Sequence, residues 1–327
     1  MNRTPANSTP LLAVDNLCVN FASSRVVDHV SFSVGAGEKF ALVGESGSGK
    51  SVTALSILKL VETARYEGAI RFQGEDVLAK TERQMQSLRG SDIAMIFQEP
   101  MTALNPLYRV GNQIAEVLEL HEGLNAGDAR ARAVDLLART GIPDPVKRVD
   151  SFPHQLSGGQ RQRAMIAMAL ACRPKLLIAD EPTTALDVTI QAQILKLMRD
   201  LKKSYGSSIL LITHNLGVVA EMCDRVGVMY AGTMAEIGDV RTIFKSPLHP
   251  YTAGLMKAVP AVHQELDRLN SIRGSVPNLI TPPSGCRFHP RCDFAKSYCT
   301  KVKPELVEIE PGHFVSCHKV SGAKGYV

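Results

Sequence analysis

The chain has 327 residues, 45% of them apolar and 21% charged, with a formal net charge of +5 from 37 basic and 32 acidic residues. These are ordinary globular values for one large domain plus a smaller one, and the absence of a dense Lys/Arg block argues against a nucleic-acid partner. No apolar run approaches the ~18 residues needed to span a bilayer, and the start MNRTPANSTP has no apolar signal core, so the expectation is a cytosolic chain that meets a membrane only through a partner.

Residues 1–10 are polar and proline-bearing and are expected to be a disordered tail. Leu11–Phe21 and Val26–Val34 alternate apolar and polar residues and read as strands joined by a turn at Ala22–Arg25. Lys39–Val43 reads as a short buried strand. Gly44, Glu45, Ser46, Gly47, Ser48, Gly49, Lys50 and Ser51 then fit the pattern G-x-x-x-x-G-K-[ST] at every fixed position, and Ser51–Leu60 reads as an amphipathic helix. Strand, glycine-rich turn and helix N-terminus make an anion site, because backbone N–H groups and the helix dipole point at the ligand. Lys50 is expected to reach the β and γ phosphates of a nucleotide, and the Ser51 hydroxyl to coordinate Mg²⁺.

Further strands are expected at Gly68–Phe72 and Ile93–Phe97, the latter ending at Gln98. Apolar residues recur at helical spacing from Leu107 to about Leu120 and from Gly127 to Thr140, an inserted helical part within about 104–172. Leu156-Ser157-Gly158-Gly159-Gln160 leads into a helix at Arg161–Ala171 and is a second glycine-rich turn at a helix N-terminus. Leu176–Ala179 is a buried strand closed by Asp180 and Glu181. Val188–Ser204 is a helix, and Ser208–Thr213 is a strand ending at His214. Strands alternating with helices argue for a mostly parallel α/β core sheet, preceded by an antiparallel N-terminal part. Every candidate chemical residue falls where a strand meets a loop, the edge at which open α/β sheets bind ligands. Asp180 is placed to hold a metal, Glu181 to accept a proton from an attacking water, and His214 to bond the γ-phosphate or position that water.

After Lys257 prolines interrupt the pattern, and a boundary is placed there, giving a nucleotide-binding part at 11–257 and a small irregular region at 258–327. Such a region usually requires a staple. Of seven cysteines, Cys18, Cys172 and Cys223 read as small buried hydrophobes, whereas Cys286, Cys292, Cys299 and Cys317 fall within the last 42 residues. Disulfides are disfavoured in a reducing cytosol. The spacing alone leaves a four-thiolate Zn²⁺ and a 4Fe-4S cluster open, with His289, His313 and His318 in supporting or exposed positions.

Together these residues resemble the ATP-binding subunits of ABC transporters over about Leu11–Lys257. In the terms of that family, Walker A is Gly44–Ser51, the Q-loop glutamine is Gln98, the signature is Leu156–Gln160 and Walker B ends at Asp180. The catalytic glutamate is Glu181, the D-loop Thr184–Asp187 and the switch histidine His214. Phe21 matches the aromatic that stacks on adenine. The resemblance implies a P-loop fold of ABC type and hydrolysis of ATP. It implies that two such subunits face each other, Ser157, Gly158, Gly159 and Gln160 of one covering the nucleotide held by Walker A of the other. Gln98 then senses the γ-phosphate through Mg²⁺.

The runs Phe97–Pro106, Ile178–Thr189, His249–Thr252 and Pro283–Cys292 resemble the dipeptide/oligopeptide importer subfamily, which nickel and opine importers share. That resemblance implies two transmembrane permease subunits, a second ATPase subunit (a paralogue rather than a second copy) and, indirectly, an extracytoplasmic solute-binding protein. It implies a peripheral location on the cytoplasmic face of the membrane, and for the four cysteines a 4Fe-4S cluster rather than zinc, as a structural staple. The competing reading is a soluble ABC-type ATPase unconnected with transport. Such proteins usually carry long coiled-coil insertions or two fused nucleotide domains, and neither is present.

Overall fold

The computed structural model describes residues 9–22, 24–99, 103–183, 188–258 and 272–326. The chain forms two compact units, one from residues 1–35, 39–79 and 212–327, the other from 36–38 and 80–211.

The first unit begins with an antiparallel sheet in the order Ser24–Val34, Leu12–Phe21, Arg65–Phe72, Glu75–Asp76. Its inward residues Leu12, Val14, Leu17, Val19, Val27 and Val30 are fully buried, as the alternation in the sequence requires. A second set of strands runs Val307–Glu310, His313–Val315, Thr233–Asp239, Arg225–Tyr230, Lys39–Val43. Only its last pair is parallel; the others are antiparallel. The core sheet is therefore mixed where a mostly parallel one was expected. The cause lies at one edge, where Arg225–Tyr230 turns back as the antiparallel strand Thr233–Asp239 and the tail then adds two more strands. Pro311 and Gly312 occupy the turn between two short strands, and Gly312 has φ +78°, the positive value a Pro-Gly turn demands at its third residue. The resulting hairpin adds to the open edge of Thr233–Asp239 through Glu236 and Ile237.

The tail also shares the core of this unit. Phe288 is buried in the cluster of Ala41, Val43, Val226, Val228, Tyr230 and Tyr251, and Cys286 and Cys292 pack against it. The proline-rich composition hid this, because prolines break periodicity without preventing burial. Two of the tail histidines are buried rather than exposed. His313 Nε2 lies 2.7 Å from the Glu236 carboxylate, which also accepts the backbone N–H groups of Leu248 and His249. His318 Nε2 lies 2.8 Å from the Val302 carbonyl.

In the second unit Ile93–Ile96 and Leu176–Asp180 pair in parallel, with Ser208–Ile212 next in order. All three strands are buried throughout, as continuous apolar runs covered on both faces should be. The inserted helices Val110–Glu122 and Ala126–Arg139 pack with the helix Gly158–Ala169 around Ile114, Leu118, Ala133, Leu136, Leu137 and Ala164. Gly123 stops the first in the left-handed conformation, and the Asn125 side chain caps the second by accepting from the N–H of Asp128. Among the described residues no helix is long and apolar enough to cross a membrane.

Candidate functional site

In the first unit the strand Lys39–Val43 delivers the chain into the loop Gly44–Ser51, and the helix Lys50–Ile57 carries it away. Gly44 is required by space: a Cβ there would lie 2.1 Å from the Met229 carbonyl oxygen, and its φ of +152° is in the range L side chains rarely adopt. Gly49, at φ +96°, is the N-cap of the helix. Lys50 is buried, and its ammonium donates to the Gly44 carbonyl at 2.8 Å, the Glu45 carbonyl at 2.9 Å and Ser48 Oγ at 3.2 Å. The cation thus sits inside the curl of its own loop, with Ser46 and Gly47 exposed at the rim and Ser51 half-buried in the first helical turn. Phe21 is half-buried at the end of its strand rather than part of the closed core, a position open to a flat ligand. His214 is exposed two residues after the strand Ser208–Ile212, and the next residue, Asn215, caps the helix Leu216–Met222 through the N–H groups of Gly217 and Val218.

In the second unit Asp180 is buried at the end of its strand and Glu181 turns out of it with φ +45°. A glutamate in the left-handed region costs roughly 1–3 kcal/mol, a cost that persists where surrounding structure fixes it and that collects at functional positions. Gln98 Nε2 donates to Glu181 Oε2 at 3.3 Å. The buried Gln162, on the helix after Leu156–Gln160, donates to the Pro182 carbonyl at 2.6 Å and fixes the other side of the turn. Sequence reasoning missed Gln162, whose only signal is a polar residue on the buried face of that helix. Ser157 is the N-cap of the helix: Gln160 N–H donates to Ser157 Oγ, and Ser157 N–H donates to Gln160 Oε1. The helix therefore starts at Gly158, three residues before the expected Arg161. Ser157 and Gly158 are exposed, and nothing lies within 4 Å of a Cβ built at Gly158. Thr184–Asp187 lie outside the described residues. Asp180 and Gln98 of this unit offer a carboxylate and an amide carbonyl, oxygen donors of the hard kind that Mg²⁺ takes.

The tail of the first unit reaches the loop. The Glu45 N–H donates to the hydroxyl of the fully buried Tyr251 at 2.9 Å, and Arg291 forms a two-point bond with the Glu45 carboxylate at 2.8 and 3.1 Å. Burial pushes the Tyr251 phenol well above its ordinary range. Burial likewise lowers His249 to about 4, so its ring stays neutral and Nδ1 accepts the Tyr251 N–H at 3.0 Å. Both Tyr251 and Arg291 stand in runs that resemble importer subunits, but nothing in their spacing says what they touch.

Cys286, Cys292, Cys299 and Cys317 all line one small cavity, together with Phe288 and Tyr326. None of the four is paired in a disulfide. Burial pushes Cys286, Cys292 and Cys317 up, Cys286 to about 12, and each is raised further by its neighbours. Converging thiols whose negative charges oppose one another form a donor set that a cationic centre would compensate.

A P-loop on a mixed sheet, a strand-end Asp-Glu pair and an LSGGQ turn on an inserted helical part define an ATP-binding cassette ATPase. The chain matches the family model "ABC transporter" over residues 27–184 and "Oligopeptide/dipeptide transporter, C-terminal region" over 235–299. It is 49% identical to the dipeptide transport ATP-binding protein DppD of Escherichia coli, covering 94% of this chain and 96% of that one. It is 50% identical to the oligopeptide transport ATP-binding protein AppD of Bacillus subtilis, with the same shares covered. Among solved structures, the ATP-binding cassette MJ0796 in a dimeric post-hydrolysis state bound to ADP and Pi superposes with a TM-score of 0.64 at 25% identity, covering 70% of this chain and 99% of that one. The chain belongs to the ATP-binding subunits of ABC transporters, in the oligopeptide/dipeptide group.

Proposed function

We propose that this ATPase powers the import of peptides or a related small solute, peripheral to the cytoplasmic face of a membrane and bound to two permease subunits. A second ATPase subunit, a paralogue, completes the nucleotide sandwich, and a solute-binding protein delivers cargo on the far side. The observation that carries the reading is the loop Gly44–Ser51 with Lys50 buried inside it, in a chain of which nineteen-twentieths aligns with peptide-transport ATP-binding proteins. That alignment disfavours a soluble ATPase unconnected with transport.

In this reading Lys50 and the loop amides bind the β and γ phosphates, Phe21 stacks on adenine, and Ser51, Asp180 and Gln98 hold Mg²⁺. The ion, when bound, neutralises charge that builds up on the phosphates. Glu181 takes the proton of the attacking water, held from one side by Gln98, and His214 orients the γ-phosphate. Ser157, Gly158, Gly159 and Gln160 cover the nucleotide of the opposing subunit. Support for that last role is the exposed, uncrowded N-terminus of the helix Gly158–Ala169, an anion site by its dipole and free N–H groups. The test is reconstitution with the permeases in vesicles. Uptake of a labelled dipeptide should require ATP and fall to background with Lys50→Met; ATP-independent uptake would refute the reading.

For the residues 258–327 we propose a 4Fe-4S cluster on Cys286, Cys292, Cys299 and Cys317, with Zn²⁺ as the competing occupant. When bound, it supplies a covalent cross-link among four points of the tail, and an electron-transfer role is not required. Anaerobically purified protein should be brown and contain about four iron atoms per chain, one for each metal corner of the cubane. A colourless protein with one zinc per chain would overturn it.

A further inference from the structure

A carboxylate is out of place in a loop that binds phosphates. Glu45 follows the first glycine of Gly44–Ser51, and its own backbone carbonyl accepts a hydrogen bond from Lys50. Charges within about 10 Å of each other are only partly screened at physiological salt. An ionised Glu45 therefore works against the triphosphate that the loop gathers, unless something neutralises it.

The structure supplies the neutralising group from the tail, 246 residues away in sequence. Arg291 Nη1 donates to Glu45 Oε2 at 2.8 Å and Nη2 donates to Oε1 at 3.1 Å, the parallel two-point geometry in which a guanidinium binds a carboxylate most strongly. The Arg291 side chain is 5% exposed and that of Glu45 30%. The arginine is fixed independently of Glu45. Its Nε donates to the Arg273 carbonyl at 2.8 Å, Nη2 to the Ile272 carbonyl at 3.2 Å and Nη1 to the Tyr230 hydroxyl at 3.3 Å, and it lies over the Tyr230 ring at 5.7 Å. Tyr230 in turn packs on Tyr251, whose hydroxyl takes the Glu45 N–H. Side chain and backbone of Glu45 are both held by this one group of residues.

We propose that Arg291 is a positioning residue for nucleotide binding: it cancels the charge of Glu45 and so makes the tail part of the phosphate-binding electrostatics. The inference rests on the reading that Gly44–Ser51 binds nucleotide phosphates. It requires that an arginine without its glutamate favour the nucleotide, and that a glutamate without its arginine oppose it.

The experiment is calorimetric titration of the full-length chain with MgADP at two salt concentrations. Arg291→Met should weaken binding about tenfold, the size of one uncompensated charge acting across a partly screened loop. Glu45→Gln should tighten it about threefold, and the gain should shrink at high salt. The double variant should bind within about threefold of wild type, because removing the carboxylate removes the reason for the arginine. If the double variant is as weak as Arg291→Met, Arg291 acts by supporting the Ile272 and Arg273 carbonyls and the proposal fails. If Glu45→Gln weakens binding, the proposal also fails, and this result does not depend on Arg291→Met folding. Absence of MgADP binding by the wild-type chain would instead refute the nucleotide reading on which the inference rests.

Discussion

Glu181→Gln is expected to lower ATP turnover by about 10²–10⁴-fold, the usual contribution of a positioned general base, while MgADP affinity stays within a few-fold of wild type. The structure gives two reasons for placing this effect on Glu181 rather than on Asp180. Asp180 ends the buried strand Leu176–Asp180 and is itself buried, as suits an acid that holds a cation. Glu181 leaves the strand in the left-handed region, so its side chain diverges from that of Asp180. It is held on one side by Gln98, while Gln162 fixes the carbonyl of Pro182 beyond it. Glutamine keeps the size of the side chain and can still bond to Gln98, so the turn should persist and only proton acceptance is lost. Steady-state phosphate release alongside nucleotide titration separates the two. Turnover within threefold of wild type would remove Glu181 from the catalytic role. A parallel loss of MgADP affinity would show that the variant disturbs the turn instead of the chemistry.

The phosphate loop was legible because its constraints are local. Gly44 and Gly49 are needed by a backbone that curls within eight residues, and a lysine must follow them to reach inside. The buried strands Lys39–Val43, Ile93–Ile96, Leu176–Asp180 and Ser208–Ile212 were legible for a related reason, since burial on both faces writes an unbroken apolar run. The helix start at Gly158 was misplaced because two glycines argue against helix by propensity, whereas the capping box of Ser157 and Gln160 outweighs them. The tail was the least legible part. Its strands span four and three residues, too short to show a period, and its fold depends on partners more than two hundred residues away. Cys286–Cys317 announced a common centre, but nothing local in Arg291 or Tyr251 announces the loop that each touches.

The tail's attachment to the N-terminal sheet should fail most sharply at Asp28. This residue is buried on the strand Ser24–Val34, and its Oδ2 accepts from Arg287 at 2.9 Å and from Lys303 at 2.6 Å, while Oδ1 meets His29 Nδ1 at 2.8 Å. Burial alone would raise its pKa. Hydrogen bonds from Lys303 and His29, with the charges of Lys303 and Arg287, outweigh that and hold it at about 2. Because the folded value lies below the ordinary 3.8, the carboxylate's contribution is complete above about pH 4 and is lost as pH falls toward 2. Acid should therefore release the tail from the sheet across that interval. At neutral pH the partners differ in weight. Lys303 is half-exposed and screened, so Lys303→Met should cost under about 1 kcal/mol. Arg287 is as buried as Asp28 and also bonds the Ala231 carbonyl, so Asp28→Asn leaves a buried guanidinium short of its counter-charge and should cost about 3 kcal/mol. Denaturant titration of both variants at pH 7 makes the comparison. Equal losses for the two would show that the buried pair carries no more than the exposed one, and that the apolar contacts of Phe288 with Tyr230 and Tyr251 hold the tail in place.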